Sequence, residues 1–283
     1  MEQTDGVSTA GWTRRRVLLG ALVLLVLGAS SVAPLAGART GSTGGARPGG
    51  LPGAADTRVV MRDGRAYVLH VPPALRRDPR LSQGVPAMLV LHGLESNPAD
   101  AADSTGLSRL ADRDGALVVY PEGVRESFNA GYCCGPAVTH QVDDVAFLVR
   151  VVQDLRRRGA GRVSVVGFSN GGMMAYRLGC ERPGLVDTGG VMGGTLEIPR
   201  CDGRIRALHL HGDRDTAVPF EGDDASERLG TFLRDVRTIV AASPGSSITV
   251  RRLERWEHRW QQQGHPVDAS EEFWAFARMS ARP

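Results

Sequence analysis

The 283-residue chain has no lysine; all 34 of its basic residues are arginine. Against 31 acidic residues they leave a formal charge of only +3. No basic block stands out, so an electrostatic nucleic-acid surface is not expected. The arginine bias reads as the codon usage of a GC-rich genome and not as function. Aromatic residues are scarce, at 5%. Long apolar runs are missing too: the run over 17–27 has about 11 residues, where a spanning helix needs roughly 20. A polytopic membrane protein is excluded on that count. What is present is ordinary for a folded protein, with 42% hydrophobic and 23% charged residues. Such a length allows one large α/β core or at most two small ones. The 36 glycines and four cysteines are the counts that call for a reason.

The N-terminus reads as an address. Thr13-Arg14-Arg15-Arg16 precedes the apolar run, and Ala36-Gly37-Ala38 offers small residues where a signal peptidase cuts. Residues 1–38 are therefore expected to be an export signal, and Thr-Arg-Arg-Arg-Val-Leu resembles the twin-arginine type. The competing reading is an uncleaved N-terminal anchor. No cysteine stands near the cleavage region, which argues against lipid attachment. Residues 39–57 are dominated by Gly, Pro, Ser and Thr and are expected to form a flexible lead-in. The folded domain is expected to span 58–283.

Within that domain, 58–71 alternates around Asp63-Gly64 and predicts a β-hairpin. Short β-branched runs at 87–91, 116–120 and 162–168 predict strands buried on both faces. Further strands are expected at 207–210 and 248–253. Val145, Leu148, Val149, Val152 and Leu155 recur at helical spacing, and 269–279 presents Phe273, Trp274 and Phe276 for burial. Strands alternating with helices imply a mostly parallel sheet covered on both faces. No internal repeat and no second domain are evident.

Chemistry is concentrated at Gly167-Phe168-Ser169-Asn170-Gly171. This is a G-x-S-x-G pattern that follows a predicted strand and opens a predicted helix, the setting the motif requires. Ser169 on a sharp turn would present its hydroxyl above the sheet, and the helix N-terminus would face a developing oxyanion. A serine needs a base, itself held by a carboxylate, in the order Ser, Asp or Glu, His. Of the seven histidines, that order removes His70, His92 and His140. His211-Gly212-Asp213-Arg214-Asp215 follows a strand and supplies two competing acids, Asp213 and Asp215. His258, directly after the last predicted strand, is the favoured base; His265 reads as a loop histidine, and His209 and His211 as structural. Backbone N–H groups of Leu94, after Leu91-His92-Gly93, and of Asn170 are the expected oxyanion donors. His92 reads as a packing and hydrogen-bonding residue. Asp143-Asp144 reads as a helix N-cap and not a metal site.

Six motifs in order carry a resemblance: Leu91-His92-Gly93; Asn129 through Gly135; Asp143-Asp144-Val-Ala-Phe; Gly167 through Cys180; His211-Gly-Asp-Arg-Asp215; and His258-Arg-Trp260. From Arg58 onward the chain resembles the secreted serine esterases that include polyhydroxybutyrate depolymerases and feruloyl or acetylxylan esterases. The resemblance implies an α/β-hydrolase fold. It also implies Asp215 as the acid, four residues after the first histidine of its motif, and His258 as the base. Two positions depart from the family pattern. Trp256-Glu257 precedes His258 where glycine is usual, and Phe128 stands where tryptophan is usual, a change expected to bear on substrate fit.

The spacing of Cys133, Cys134, Cys180 and Cys201 lacks the C-x-x-C pairs of zinc sites and suits disulfides in an exported protein. Pairing the neighbours Cys133 and Cys134 would strain the backbone, so bonds crossing to Cys180 and Cys201 are expected. The combined expectation is a secreted or cell-envelope serine esterase that needs neither metal nor cofactor. Its substrate would be a small or oligomeric carboxylic ester, such as a hydroxyalkanoate oligomer or a feruloyl or acetyl ester. With no module expected beyond the 25 residues after His258, soluble esters are expected over a solid polymer. An acyltransferase, a peptidase or a non-catalytic binding protein on the same scaffold are the alternatives. Oligomeric state is left open.

Overall fold

The computed structural model describes residues 55–78, 83–226 and 231–279. The expected export signal and nearly all of the lead-in lie outside them. Strand β1 (Asp56–Val60) turns at Asp63-Gly64 into β2 (Ala66–His70), followed by α1 (Pro73–Arg77) and β3 (Val85–Leu91). Asp56 and Thr57, read from composition as the end of the lead-in, thus belong to a strand. Helices α2 (Pro98–Thr105) and α3 (Leu107–Asp114) lead to β4 (Leu117–Pro121). Next come α4 (Pro136–Thr139), α5 (Asp144–Arg157), β5 (Ala160–Phe168) and α6 (Asn170–Glu181). The chain continues through β6 (Thr188–Met192), β7 (Arg206–Gly212) and a small pair, β8 (Asp223–Ser226) and β9 (Thr231–Leu233). It then forms α7 (Thr238–Ala241), β10 (Ser247–Leu253) and α8 (Ala269–Met279).

Eight strands make one sheet in the order β1-β2-β4-β3-β5-β6-β7-β10. The β1–β2 and β2–β4 pairs are antiparallel and the other five are parallel. Period-two alternation sends side chains to two separate cores. Leu89, Leu91, Leu117, Val119, Val163 and Val165 face α5 and α6, with Phe147, Leu148 and Met174. Met88, Val90, Val118, Tyr120 and Val166 face the opposite layer, with Leu107, Phe273 and Trp274. Both faces are therefore buried, which is why these strands read as continuous apolar runs.

Local signals account for the helix starts. Asn97 accepts hydrogen bonds from the backbone N–H groups of Ala99 and Asp100 and caps α2. Asp143 accepts from Ala146 N at 2.9 Å and caps α5, as read from sequence. Strand β6 was not legible. Its Thr-Gly-Gly-Val-Met is interrupted by two glycines, and Gly190 gives way to Phe273 of α8: a Cβ there would stand 2.7 Å from the phenyl ring. Since β3, β5, β6, β7 and β10 run parallel, the segments after their C-terminal ends gather on one edge of the sheet, the usual location of a site in such folds.

Candidate active site

Ser169 joins β5 to α6 with φ 53° and ψ −122°, a strained conformation for a residue with a side chain. The strain is held in place from several sides. Ser169 N–H donates to Met192 O at 2.9 Å, tying the turn to the end of β6, and Met173 N–H donates to Ser169 O at 3.0 Å. The flanking glycines are sterically required, since a Cβ at Gly171 would lie 2.2 Å from Leu91 O, and one at Gly167 2.2 Å from Gly171 O. The G-x-S-x-G spacing is thus a record of backbone crossing backbone.

Asp215 and His258 are brought together across the end of β7. His258 Nδ1 donates to Asp215 Oδ2 at 2.7 Å, since a carboxylate can only accept. A neutral ring held this way keeps Nε2 bare, the form a general base needs. The other oxygen, Oδ1, accepts from Ala217 N at 3.1 Å and Val218 N at 2.8 Å. The His258 ring rests on Phe168, the residue before the serine, with centroids 4.7 Å apart. Asp213 is used otherwise: its Oδ1 accepts from Trp256 N at 3.3 Å and anchors the loop that carries His258. His265 accepts from Val267 N at 3.1 Å and stands edge-on to Trp256. Trp256, at the first departure from the family pattern, is wholly buried, and its Nε1 donates to Arg259 O at 2.9 Å.

Leu94 and Asn170 flank Ser169 from two elements. Asn170 opens α6, and Leu94 follows β3, whose Leu91 is in register with Gly167. His92 fixes the peptide plane between Gly93 and Leu94. Its Nδ1 donates to Gly93 O at 2.8 Å, while Nε2 accepts from Gly123 N at 3.0 Å. That carbonyl and the Leu94 N–H belong to one rigid peptide unit, so orienting one orients the other. Burial lowers the His92 pKa and keeps the ring neutral, as both bonds require.

A loop over 128–135 covers this side. Asn170 clasps it, accepting from Phe128 N at 2.8 Å and donating to Phe128 O at 2.9 Å. Asn129 N donates to Asp144 Oδ2 at 2.7 Å, Arg65 donates to Asp144 Oδ1 at 2.7 Å, and Arg177 donates to Asn129 O at 2.7 Å. Asp144, read as part of a capping pair, is instead a fully buried organiser of the loop; sequence reasoning missed this, and missed Arg65 and Arg177 with it. Phe128 is buried against the His92 ring, centroids 4.6 Å apart. The second departure from the family pattern therefore concerns packing behind Leu94 and not an exposed substrate contact.

The expected disulfide pairing is corrected. Cys133 bonds Cys134 across a cis peptide bond, and Cys180 bonds Cys201. Crossed bonds are out of reach for a simple reason. Cys134 Sγ lies 3.5 Å from Asn170 Nδ2 at the start of α6, whereas Cys180 is at its far end, about 15 Å along the axis at the helical rise. A disulfide bridges Cα atoms only about 4.4–6.8 Å apart.

The family model described as "Esterase PHB depolymerase" matches residues 65–219. NocK of Nocardia uniformis subsp. tsuyamanensis, which is named as an esterase, is 36% identical over 200 residues, covering 68% of this chain and 55% of NocK. The chain thus spans about half the length of that relative. Among solved structures, acetyl xylan esterase from Aspergillus awamori superposes with a TM-score of 0.57 at 14% identity, over 79% of this chain and 100% of that one. An S-formylglutathione hydrolase from Agrobacterium tumefaciens gives 0.53 at 13% identity, over 79% and 94%. At such identities these two speak for the fold alone. The chain has the α/β-hydrolase fold, and it belongs to the Esterase PHB depolymerase family.

Proposed function

We propose that this chain is a serine esterase that hydrolyses carboxylic esters through Ser169, His258 and Asp215. One observation carries the reading: the 2.7 Å bond from His258 Nδ1 to Asp215 Oδ2, on a ring that packs on Phe168, the residue before a serine on a strained strand-to-helix turn. Ser169 Oγ attacks the ester carbonyl while His258 Nε2 takes its proton. The carbonyl oxygen becomes an oxyanion that accepts from Leu94 and Asn170 N–H, each donor contributing roughly 3–4 kcal/mol to the transition state. Asp215 holds the imidazolium. As the tetrahedral species collapses, the C–O bond breaks and the His258 proton leaves with the alcohol. Water, deprotonated by the same ring, then cleaves the acyl-Ser169 ester and releases the acid.

Family membership supports ester chemistry, and the two disulfides suit an oxidising compartment outside the cytoplasm. No helix among the described residues is long and apolar enough to cross a membrane. Ser169→Ala is expected to abolish both p-nitrophenyl acetate hydrolysis and fluorophosphonate labelling. Labelling that persists in a folded variant would overturn the assignment of Ser169. The substrate reading is a small or oligomeric ester, and a panel of hydroxybutyrate oligomers, feruloyl esters, acetylated sugars and simple alkanoates would rank the candidates by kcat/KM.

A further inference from the structure

Behind Asp215 lies a row of buried polar side chains that the ester chemistry does not use. Tyr176 of α6, His209 and His211 of β7 are all essentially inaccessible to solvent. Tyr176 Oη is 2.8 Å from His209 Nδ1, His209 Nε2 is 3.0 Å from His211 Nδ1, and His211 Nε2 is 2.7 Å from Val218 O. The two imidazole planes are within 7° of parallel, with centroids 5.3 Å apart. His211 Nε2 also lies 3.5 Å from Asp215 Oδ2, the oxygen that receives His258.

The direction of every hydrogen bond in this row follows from one fixed end. Val218 O is a carbonyl and can only accept, so His211 Nε2 carries a hydrogen. Burial lowers the pKa of both rings, that of His209 furthest, and keeps them neutral. Asp215, His258 and Glu221 are the charged or titratable groups besides His209 that act on His211. A neutral His211 therefore has a bare Nδ1 and accepts from His209 Nε2–H. His209 in turn has a bare Nδ1 and accepts from Tyr176, whose hydroxyl burial keeps protonated.

We propose that Tyr176, His209 and His211 form a directional hydrogen-bond chain that positions Asp215 for the reaction, and that they are positioning residues and not catalytic ones. The inference rests on the triad reading above. Its output is the Val218 peptide region: Val218 O is held by His211, and Val218 N–H holds Asp215 Oδ1 at 2.8 Å. Reversing the chain would turn a lone pair of His211 toward both Val218 O and Asp215 Oδ2. Two acceptors and a third would then face one another in a dry interior, and the turn would shift. Because well-placed catalytic groups lose rate steeply when displaced, the effect belongs in kcat and not in KM.

The test combines spectroscopy with kinetics. Nitrogen NMR of histidine-labelled wild type is expected to show bare Nδ1 and protonated Nε2 on His209 and His211, unchanged through the pH range where an ordinary histidine titrates. The Ser169→Ala protein should give the same spectrum. That arm reads the chain independently of turnover, so loss of the nucleophile assignment and loss of this proposal are separate outcomes. His209→Leu is expected to lower kcat about tenfold at unchanged KM, with His209→Gln, which can both accept and donate, returning it to within about twofold. Tyr176→Phe should remove the first donor and lower kcat in the same sense should the leucine variant fail to fold. A protonated Nδ1 on His211 in the wild type, or a folded His209→Leu protein with wild-type kcat, would overturn the proposal.

Discussion

Asp213 and Asp215 are two residues apart on one turn, yet they act on different atoms. Asp213 holds the backbone of Trp256, and Asp215 holds the ring of His258. Exchanging the carboxylate for an amide at each position separates the two uses. Asp215→Asn leaves the shape but removes the acceptor that selects the Nδ1–H form of His258, and is expected to lower kcat by about 10³–10⁴-fold. Asp213→Asn keeps an oxygen for Trp256 N and is expected to change kcat less than about tenfold. Steady-state kinetics on p-nitrophenyl acetate checks both. Equal losses would mean that the turn responds as a unit and that the acid role is not confined to Asp215.

At the scale of elements, His70 of β2 is the joint between the first hairpin and the helical layer. Its ring bonds Asp56 of β1 at 2.8 Å and Asp112 of α3 at 2.9 Å. Burial disfavours the charged ring, but hydrogen bonds and charge from the two carboxylates outweigh it and raise the His70 pKa. A raised folded-state value means the protonated ring stabilises the fold. That contribution is complete below the unfolded value of about 6.5 and is lost as pH rises through the folded value. The difference in unfolding free energy between wild type and His70→Asn is accordingly expected to shrink as pH climbs from 6 through 8. Urea titrations across that range would show it, and a difference that grows with pH would contradict the charged bridge. The same layer has a second joint. Asp114 of α3 accepts from Trp274 of α8 at 2.7 Å, and Arg113, Trp274 and Arg278 together hold its pKa down to about 2.

For the whole molecule, the two disulfides do different things because they close different lengths of chain. The Cys180–Cys201 bond spans 21 residues and ties the end of α6 to the approach of β7. A loop of that size is expected to restrict the unfolded chain by about 3 kcal/mol. The Cys180→Ala, Cys201→Ala double variant should lose roughly that much stability in urea while keeping its kcat where it stays folded. The Cys133–Cys134 bond encloses no loop; it lies in the segment that Asn170, Asp144 and Arg177 hold beside the serine.

What was legible in the sequence was whatever depends on neighbours along the chain. The hairpin at Asp63-Gly64, the strands at β3, β4, β5, β7 and β10, and helices α5 and α8 follow from local periodicity and turn residues. The turn at Ser169 was legible because a tight strand-to-helix connection forces glycines at fixed offsets. Asp215 and His258 were narrower choices, made by motif resemblance, since 43 residues separate the two partners of one hydrogen bond. Only the tertiary structure decided matters that rest on reach and burial. It made Gly190 a strand residue by packing Phe273 on it, turned Asp144 inward to Arg65 and Asn129, and paired the cysteines by the length of α6. It also brought Tyr176 of α6 onto His209: period-two alternation along β7 puts His209 and His211 on one face, but the helix-to-strand bond depends on packing, and burial lowers the pKa of both rings.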